Sequence, residues 1–271
     1  MSMSQLQPYY GFTRLPFTRQ IAPGKLYRSG VHQEAAARIG FVIDSGAIGV
    51  ITGEVGVGKT VACRAAVAAL DASRHAVIYL ANPDVGAQGL YQAMVLALGG
   101  EPRFHKAALI PQCQDLIARE RTERGKQVVV IVDEAHLLDA AQLEALRLLT
   151  NAEMDSQSPF AGILIGQPQL RRRLRLGSFA ALDQRVGLRY EICGMDAKET
   201  AEYLRHHLAL AGRDDALFSD DAIALLHQAG RGVPRALNNL ATQALVAAFA
   251  ERKSVVDESS ARAAVTEVTA E

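Results

Sequence analysis

The sequence predicts an α/β fold: a doubly wound, parallel five-stranded sheet, followed by a small C-terminal all-α domain. Three observations lead to it. Five short apolar runs, Ile48–Thr52, Ala76–Leu80, Val128–Val132, Gly162–Ile165 and Leu188–Ile192, alternate with helical patterns. The third run is Val-Val-Val-Ile-Val, with no polar alternation. A strand of that kind is buried on both faces, as in a parallel sheet covered by helices. After about Met195 no further strand pattern occurs. Strands alternating with helices, then helices alone, give a wound sheet with a helical appendage.

Helical patterns fill the gaps at Gln33–Ile43, Lys59–Leu70, Ala87–Leu98, Ile110–Arg121 and Ala140–Ala152. Beyond Met195 the helices are expected near Asp196–Ala211, Asp220–Ala229, Pro234–Ala250 and Asp257–Val268, separated by Gly212 and by Gly230 and Gly232. The expected division is therefore residues 1–195 for the sheet domain with its N-terminal extension, and 196–271 for the helical domain. A chain of 271 residues is long enough for one large domain or a core domain with a satellite.

Composition removes several classes. Lys and Arg number 29 against 29 Asp and Glu, so the formal net charge is +0 and no basic coat for nucleic acid exists. A local basic patch remains compatible, because steering depends on where charges sit. A hydrophobic share of 49% with 21% charged residues is that of a globular chain with a sizeable core. The three cysteines, Cys63, Cys113 and Cys193, lie far apart and outside any CxxC or Cys/His cluster, which fits a reducing compartment. The N-terminus carries no signal-peptide pattern, and no apolar run approaches the roughly 20 residues of a spanning helix. A cytoplasmic protein with no membrane partner is expected.

The sharpest chemical signal is Gly53-Glu54-Val55-Gly56-Val57-Gly58-Lys59-Thr60. Glycines at these places let the backbone fold around an anion, and a helix starting near Lys59 adds its positive dipole end. Lys59 is expected to reach β- and γ-phosphates and the Thr60 hydroxyl to bind Mg²⁺. The motif lies between an apolar run and a helical pattern, where such a loop must lie. The second signal is Asp133-Glu134 directly after the Val128–Val132 run. Two acids there stand at the sheet's C-terminal edge, where ligands bind in open α/β folds. Asp133 is expected in the Mg²⁺ shell, and Glu134 to act as general base on water. The helix N-cap role suits Asp139 better. His136 is read as solvated or as lying behind the site, without a catalytic part.

Three more residues stand at suggestive places. Gln167 follows the fourth run, positioned to orient water or touch the γ-phosphate, or to serve as a plain turn residue before Pro168. Arg185 precedes the fifth run, as a finger for a neighbour's nucleotide or as partner of Asp183 or a nearby acid. Arg235 follows Pro234 at a helix start and is placed to reach phosphates from the helical domain.

Together these motifs resemble an AAA+ ATPase, a P-loop NTPase, and more narrowly the secretion ATPases of the ExeA/GspA type with their transposition-associated relatives. The resemblance also rests on Tyr10-Gly11-Phe12, Pro16-Phe17, Leu26-Tyr27 through Ala35, Leu146–Asn151, Gly166-Gln167-Pro168-Gln169-Leu170, Gln184-Arg185-Val186 and Gly232-Val233-Pro234-Arg235. It implies that Asp133 and Glu134 are the Walker B pair, Gln167 sensor 1, Arg185 the arginine finger and Arg235 sensor 2. ATP and Mg²⁺ are the implied cofactors, with Val61 and Pro234 joining the phosphate-loop residues around the nucleotide. The Tyr10–Phe17 segment packs near the adenine or in the core. Sensor 1 is often Asn in such proteins, and Gln167 departs from that.

Secretion members of the family continue into a membrane span and an extracytoplasmic part, and neither is present in this sequence. A free-standing domain is similar in role to the transposition helpers MuB, IstB and TnsC. That similarity implies self-assembly into a ring or helical filament, duplex DNA binding and a transposase partner. The expected DNA contacts are Arg103 and Lys106, with His105, in the polar connection Glu101–Lys106, or else that connection is a solvated loop. Arg171-Arg172-Arg173 with Arg175 is the densest basic run, and Arg205-His206-His207 reads as a solvated helix face. An envelope-assembly ATPase and a nucleotide-switched interaction module with little turnover are the alternatives.

Overall fold

A computed structural model describes residues 5–18, 21–151 and 158–269. In chain order the first helices are α1 (Leu6–Tyr10), α2 (Gly30–Ser45), α3 (Lys59–Ala68), α4 (Gly86–Ala97), α5 (Lys106–Thr122) and α6 (Ala140–Leu149). They are followed by α7 (Pro168–Leu174), α8 (Ala180–Asp183), α9 (Ala197–Leu210), α10 (Asp220–Gly230), α11 (Pro234–Ala250) and α12 (Glu258–Thr269). The strands are β1 (Ile48–Gly53), β2 (His75–Leu80), β3 (Gln127–Val132), β4 (Phe160–Gly166) and β5 (Val186–Ile192). They form one five-stranded sheet in the order β2-β3-β4-β1-β5, every neighbouring pair parallel.

Burial along the strands follows from that order. In β1 and β4 every residue is buried, and β3 is buried from Val128 to Val132. The edge strands β2 and β5 keep partly exposed positions. A continuous β-branched string is what a central parallel strand requires, because helices cover both of its faces. The core on one face joins Val128, Val130 and Val132 to Leu90, Met94, Leu109, Leu143 and Leu146.

The chain divides into two compact units, one of residues 32–55 and 59–192, the other of 1–31, 56–58 and 193–271. The second unit has its own core, in which Leu6, Tyr10, Phe12 and Phe17 pack with Leu204, Leu208, Leu226, Leu237 and Leu245. Residues 1–31 therefore group with the helices, whereas the sequence reading attached them to the sheet domain, and α2 from His32 onward stays with the sheet. The aromatics between Tyr10 and Phe17 are core side chains of the helical unit, which answers the choice left open for that segment.

Local chemistry fixes the helix ends. Asp139 caps α6 with a full capping box closed by Gln142, and Asp196 caps α9 in the same way with Glu199. The α6 pattern, expected to reach 152, ends at Leu149; Ala152 lies outside the described residues. α5 starts a turn earlier than expected, at Lys106, and runs through Pro111. The short helices α1, α7 and α8 are absent from the sequence reading, since one or two turns carry too little periodicity.

His207 corrects another expectation. His206 is partly exposed, but His207 is buried, stacked on Phe17 at 5.4 Å and 4.4 Å from the Tyr203 ring. Burial first, then the adjacent His206 and Arg14, lower its pKa from 6.5 to about 4. The unfolded chain takes up this proton between pH 6.5 and 4 while the folded chain refuses it. Stability is thus fully present above pH 6.5 and falls by about 3 kcal/mol as pH drops toward 4. His207→Phe should flatten the rise of unfolding free energy between pH 4 and 6.5 in urea titrations. An unchanged pH slope would assign that dependence to other groups.

Candidate functional site

Because all strands are parallel, the ends of β1, β3 and β4 lie at one edge of the sheet, and the motif residues follow them. β1 ends at Gly53 and α3 begins at Lys59, so the glycine loop is a strand-to-helix turn. Gly56 and Gly58 have φ of +87° and +95°, conformations that favour glycine. A Cβ on Gly56 would lie 2.6 Å from the Arg235 Cβ, and the Arg235 amide donates to the Gly56 carbonyl at 3.3 Å. Glycine at 56 is therefore required by both its dihedral and its neighbour. Lys59 is buried, its Nζ donating to the carbonyls of Gly53 at 2.8 Å and Glu54 at 2.9 Å. The ammonium is thereby drawn into the loop that carries it.

Thr60 and Asp133 meet directly: Thr60 Oγ1 donates to Asp133 Oδ2 at 2.9 Å. The Thr60 proton is aimed at the carboxylate, which leaves the hydroxyl lone pairs for another partner. Asp133 continues the ladder through its amide, which donates to Leu80 O at 3.0 Å, and its side chain is buried. Two further donors reach it, the Glu134 amide to Oδ1 at 2.9 Å and the Tyr79 hydroxyl to Oδ2 at 2.8 Å. Desolvation, and then the bond to Asp133, push the Tyr79 pKa up, so the phenol remains a donor. Burial, reinforced by Asp133, likewise raises the Cys63 thiol to about 12, so it is no nucleophile at neutral pH.

Glu134 differs from its neighbour in every respect. Its backbone is left-handed, φ +50°, and half of its side chain is exposed. Its Oε2 stands 3.3 Å from His136 Nδ1, without a hydrogen bond between them. The His136 side chain is 5% exposed, which removes the solvated reading of that residue. A Cβ on Gly166 would stand 3.1 Å from the His136 amide nitrogen, so the end of β4 passes close to this turn.

The remaining expected residues are placed as follows. Gln167 is the N-cap position of α7 with no side-chain cap bond, and is partly exposed. Val61 is partly exposed in the first turn of α3, and Pro234 opens α11. Val55 is exposed and Val57 buried. Arg185 does not pair with Asp183, which instead binds Arg189 at 2.7 Å. Its guanidinium donates to Arg147 O at 3.0 Å and to the Thr150 hydroxyl, at the C-terminal end of α6. Arg103, His105 and Lys106 are exposed, and Lys106 belongs to α5 rather than to a loop. The connection before it is tied down: Gln112 accepts from the Arg103 amide and donates to Glu101 O, and Gln88 donates to Phe104 O. Phe104 between these cations is 81% exposed. In the other basic run, Arg173 reaches Leu138 O and Arg171 pairs with Glu191 at 3.3 Å, while Arg172 and Arg175 are exposed.

Tyr79 is the site residue the sequence did not reveal. It pairs with Ile131 across β2 and β3, and Asp133 lies two residues further on, hence on the same side. That diagonal is within reach of a long aromatic side chain, yet it becomes visible only once the strand register is known.

The residues fit the implied cofactors. Thr60 and Asp133 offer hydroxyl and carboxylate oxygens, the donor type Mg²⁺ takes. Lys59 and a loop bent by two left-handed glycines are suited to a polyphosphate. A phosphate loop after β1, an acidic pair after β3 and this strand order define the AAA+ P-loop NTPase fold.

Known proteins agree. Residues 43–174 match the AAA domain family. The chain is 34% identical over 246 residues to general secretion pathway protein A of Aeromonas hydrophila, covering 89% of this chain and 44% of that protein. It thus spans less than half the length of that relative. Among solved structures it is similar to the ORC2 protein of Aeropyrum pernix, with TM-score 0.67 and 18% identity over 93% of this chain and 70% of that one. Drosophila ORC bound to DNA gives 0.68 and 17% over 100% and 68%. The RuvB Holliday junction branch migration motor of Thermotoga maritima gives 0.58 and 16% over 87% and 68%. At these identities the structural likeness is one of fold. Among the described residues no helix is long and apolar enough to cross a membrane.

Lys59→Ala should remove the phosphate contact and weaken ATP binding at least tenfold, about 1.4 kcal/mol, the lower bound for a lost charged partner. Calorimetry on the folded variant checks it, and an unchanged affinity would remove the loop from nucleotide binding.

Proposed function

We propose that this chain is an Mg²⁺-dependent ATPase that works as a self-assembled oligomer. The observation that carries the reading is the Thr60–Asp133 hydrogen bond of 2.9 Å beside the buried Lys59. It brings residues from two distant motifs into one oxygen-lined corner at the sheet edge. Lys59 would bind phosphate oxygens, Thr60 would ligate the metal, and Asp133 would hold it in place through Thr60 and through its own charge. Mg²⁺, when bound, neutralises charge on the phosphate oxygens. Glu134, exposed and reaching outward, takes the proton from the attacking water, and Gln167 orients that water. Arg235, whose amide already bonds Gly56, acts as the sensor on the phosphates. Arg185 swings from its perch on α6 to complete a neighbour's site, where its charge stabilises the transition state.

Two clients have support. The first reading is duplex DNA with a transposase, in the cytoplasm. It is supported by the motif resemblance, by the exposed Arg103 and Lys106 beside Phe104, and by the DNA-bound state of the Drosophila ORC structure named above. The second, envelope assembly, is supported by the 34% identity to a general secretion pathway protein.

Glu134→Gln should keep ATP bound and slow hydrolysis by about a hundredfold or more. Arg185→Ala should bind ATP and lose most turnover. Mixed, the two inactive proteins should recover part of the activity, because one chain's Glu134 then meets the other's Arg185. A mixture that stays inactive would make Arg185 a residue of its own subunit's structure.

For the client, Arg103→Ala with Lys106→Ala should reduce duplex DNA affinity and its salt slope while ATP binding by subunits stays unchanged. Fluorescence anisotropy at several salt concentrations measures it. Absence of any DNA binding by the parent would leave the secretion reading.

A further inference from the structure

Asp133 is held more tightly than a pair with Thr60 requires. Oδ2 accepts from both Thr60 Oγ1 and the Tyr79 hydroxyl, and Oδ1 accepts from the Glu134 amide. Three donors, one from each of three chain segments, leave the carboxylate a single orientation. The Glu134 amide holds Oδ1, and on Oδ2 the Tyr79 hydroxyl shares with Thr60 the task of fixing that oxygen's position.

Packing does not explain why position 79 carries a phenol. Tyr79 is 50% exposed, and Val77, its neighbour on the same side of the edge strand β2, is 40% exposed. Phenylalanine would bury the same ring area, so the hydroxyl is the part of Tyr79 that has work at this place. That hydroxyl ends 2.8 Å from the carboxylate that receives the Thr60 proton. We infer that Tyr79 is a positioning residue for the metal site, fixing the Asp133 carboxylate so that Thr60 presents its lone pairs to Mg²⁺.

The inference rests on the Mg²⁺ site proposed above and adds a residue to it. With both Oδ2 donors in place, Asp133 acts on Mg²⁺ through Thr60 and through its charge, and the carboxylate need not be reorganised when the ion arrives. Removing the phenol donor leaves Oδ2 with the Thr60 bond alone and loosens that side of the carboxylate, so part of the Mg²⁺ binding free energy must then be spent on reordering Asp133. Groups in this position, one layer behind the ligands, typically change metal affinity about 10- to 100-fold when removed.

The experiment is a titration of a fluorescent ATP analogue against Mg²⁺ in the full chain, with Tyr79→Phe and Val77→Ala beside the parent. For Tyr79→Phe the half-saturating Mg²⁺ concentration should rise about tenfold, while analogue affinity without Mg²⁺ and the thermal midpoint stay at parental values. Val77→Ala, changing the same exposed side of β2, should leave the Mg²⁺ dependence unchanged. An unaltered Mg²⁺ dependence in Tyr79→Phe would overturn the inference. So would equal losses with and without Mg²⁺, which would make Tyr79 a packing residue. If the parent itself binds the analogue with no response to Mg²⁺, the proposed metal site fails, and that failure is read from the parent alone.

Discussion

The position of one carboxylate organises the sheet edge. Asp133 is the first residue past a strand that has no polar side chain between Val128 and Val132, so it emerges where helical cover ends. A buried charge is tolerated only with partners, and here Thr60, Tyr79 and the Glu134 amide supply them. Each donor fixes another element: the first turn of α3, the C-terminal end of β2, and the peptide that leads into the turn after β3. The first turn of α3, the edge strand and the acidic pair are therefore tied at one point.

The sheet order makes that point accessible. β3 lies second from the edge, with β2 outside it and β4 inside. The neighbour on the outer side is an edge strand and partly solvated, which lets a side chain such as Tyr79 reach across from the rim. The neighbour on the inner side is fully buried and ends at Gly166, whose missing Cβ lets the turn at His136 come close. A side chain on residue 166 would push that turn, and with it Glu134, away from the end of β4.

Much of this was legible in the sequence, for physical reasons that differ by element. The strands were visible because burial on both faces leaves an unbroken apolar string, as at Val128–Val132, and the glycine loop because few sequences need glycine at 56 and 58 together. Capping by Asp139 was visible because an acid preceding a helical pattern has few other uses. Tyr79 was hidden, since its role depends on the β2–β3 register, which pairs it with Ile131 rather than with any motif residue. His207 was hidden because it follows Arg205 and His206 in sequence and reads with them as a polar run, while the Phe17 ring stacked on it comes from nearly two hundred residues away. Arg185 was half legible: its place before β5 could be read, but not that Arg189 had taken Asp183.

Two adjacent acids end in opposite situations, and the backbone between them is the cause. Asp133 still bonds through its amide to Leu80 O and keeps its carboxylate inside, where three donors hold it. The next residue turns into the left-handed region at φ +50°, a conformation that disfavours side chains by about 1–2 kcal/mol. That turn throws the Glu134 side chain to the solvent side, where its Oε2 lies 3.3 Å from His136 Nδ1 without a hydrogen bond. A regular continuation of the strand would have placed Glu134 on the opposite face of the sheet from Asp133, among the apolar side chains under the helices. The strained peptide is what permits one carboxylate to be locked and its neighbour to remain free to meet water. The roles proposed for the pair, holding a metal and acting as a base, would draw on these two conditions respectively, and a single turn at the end of β3 provides both.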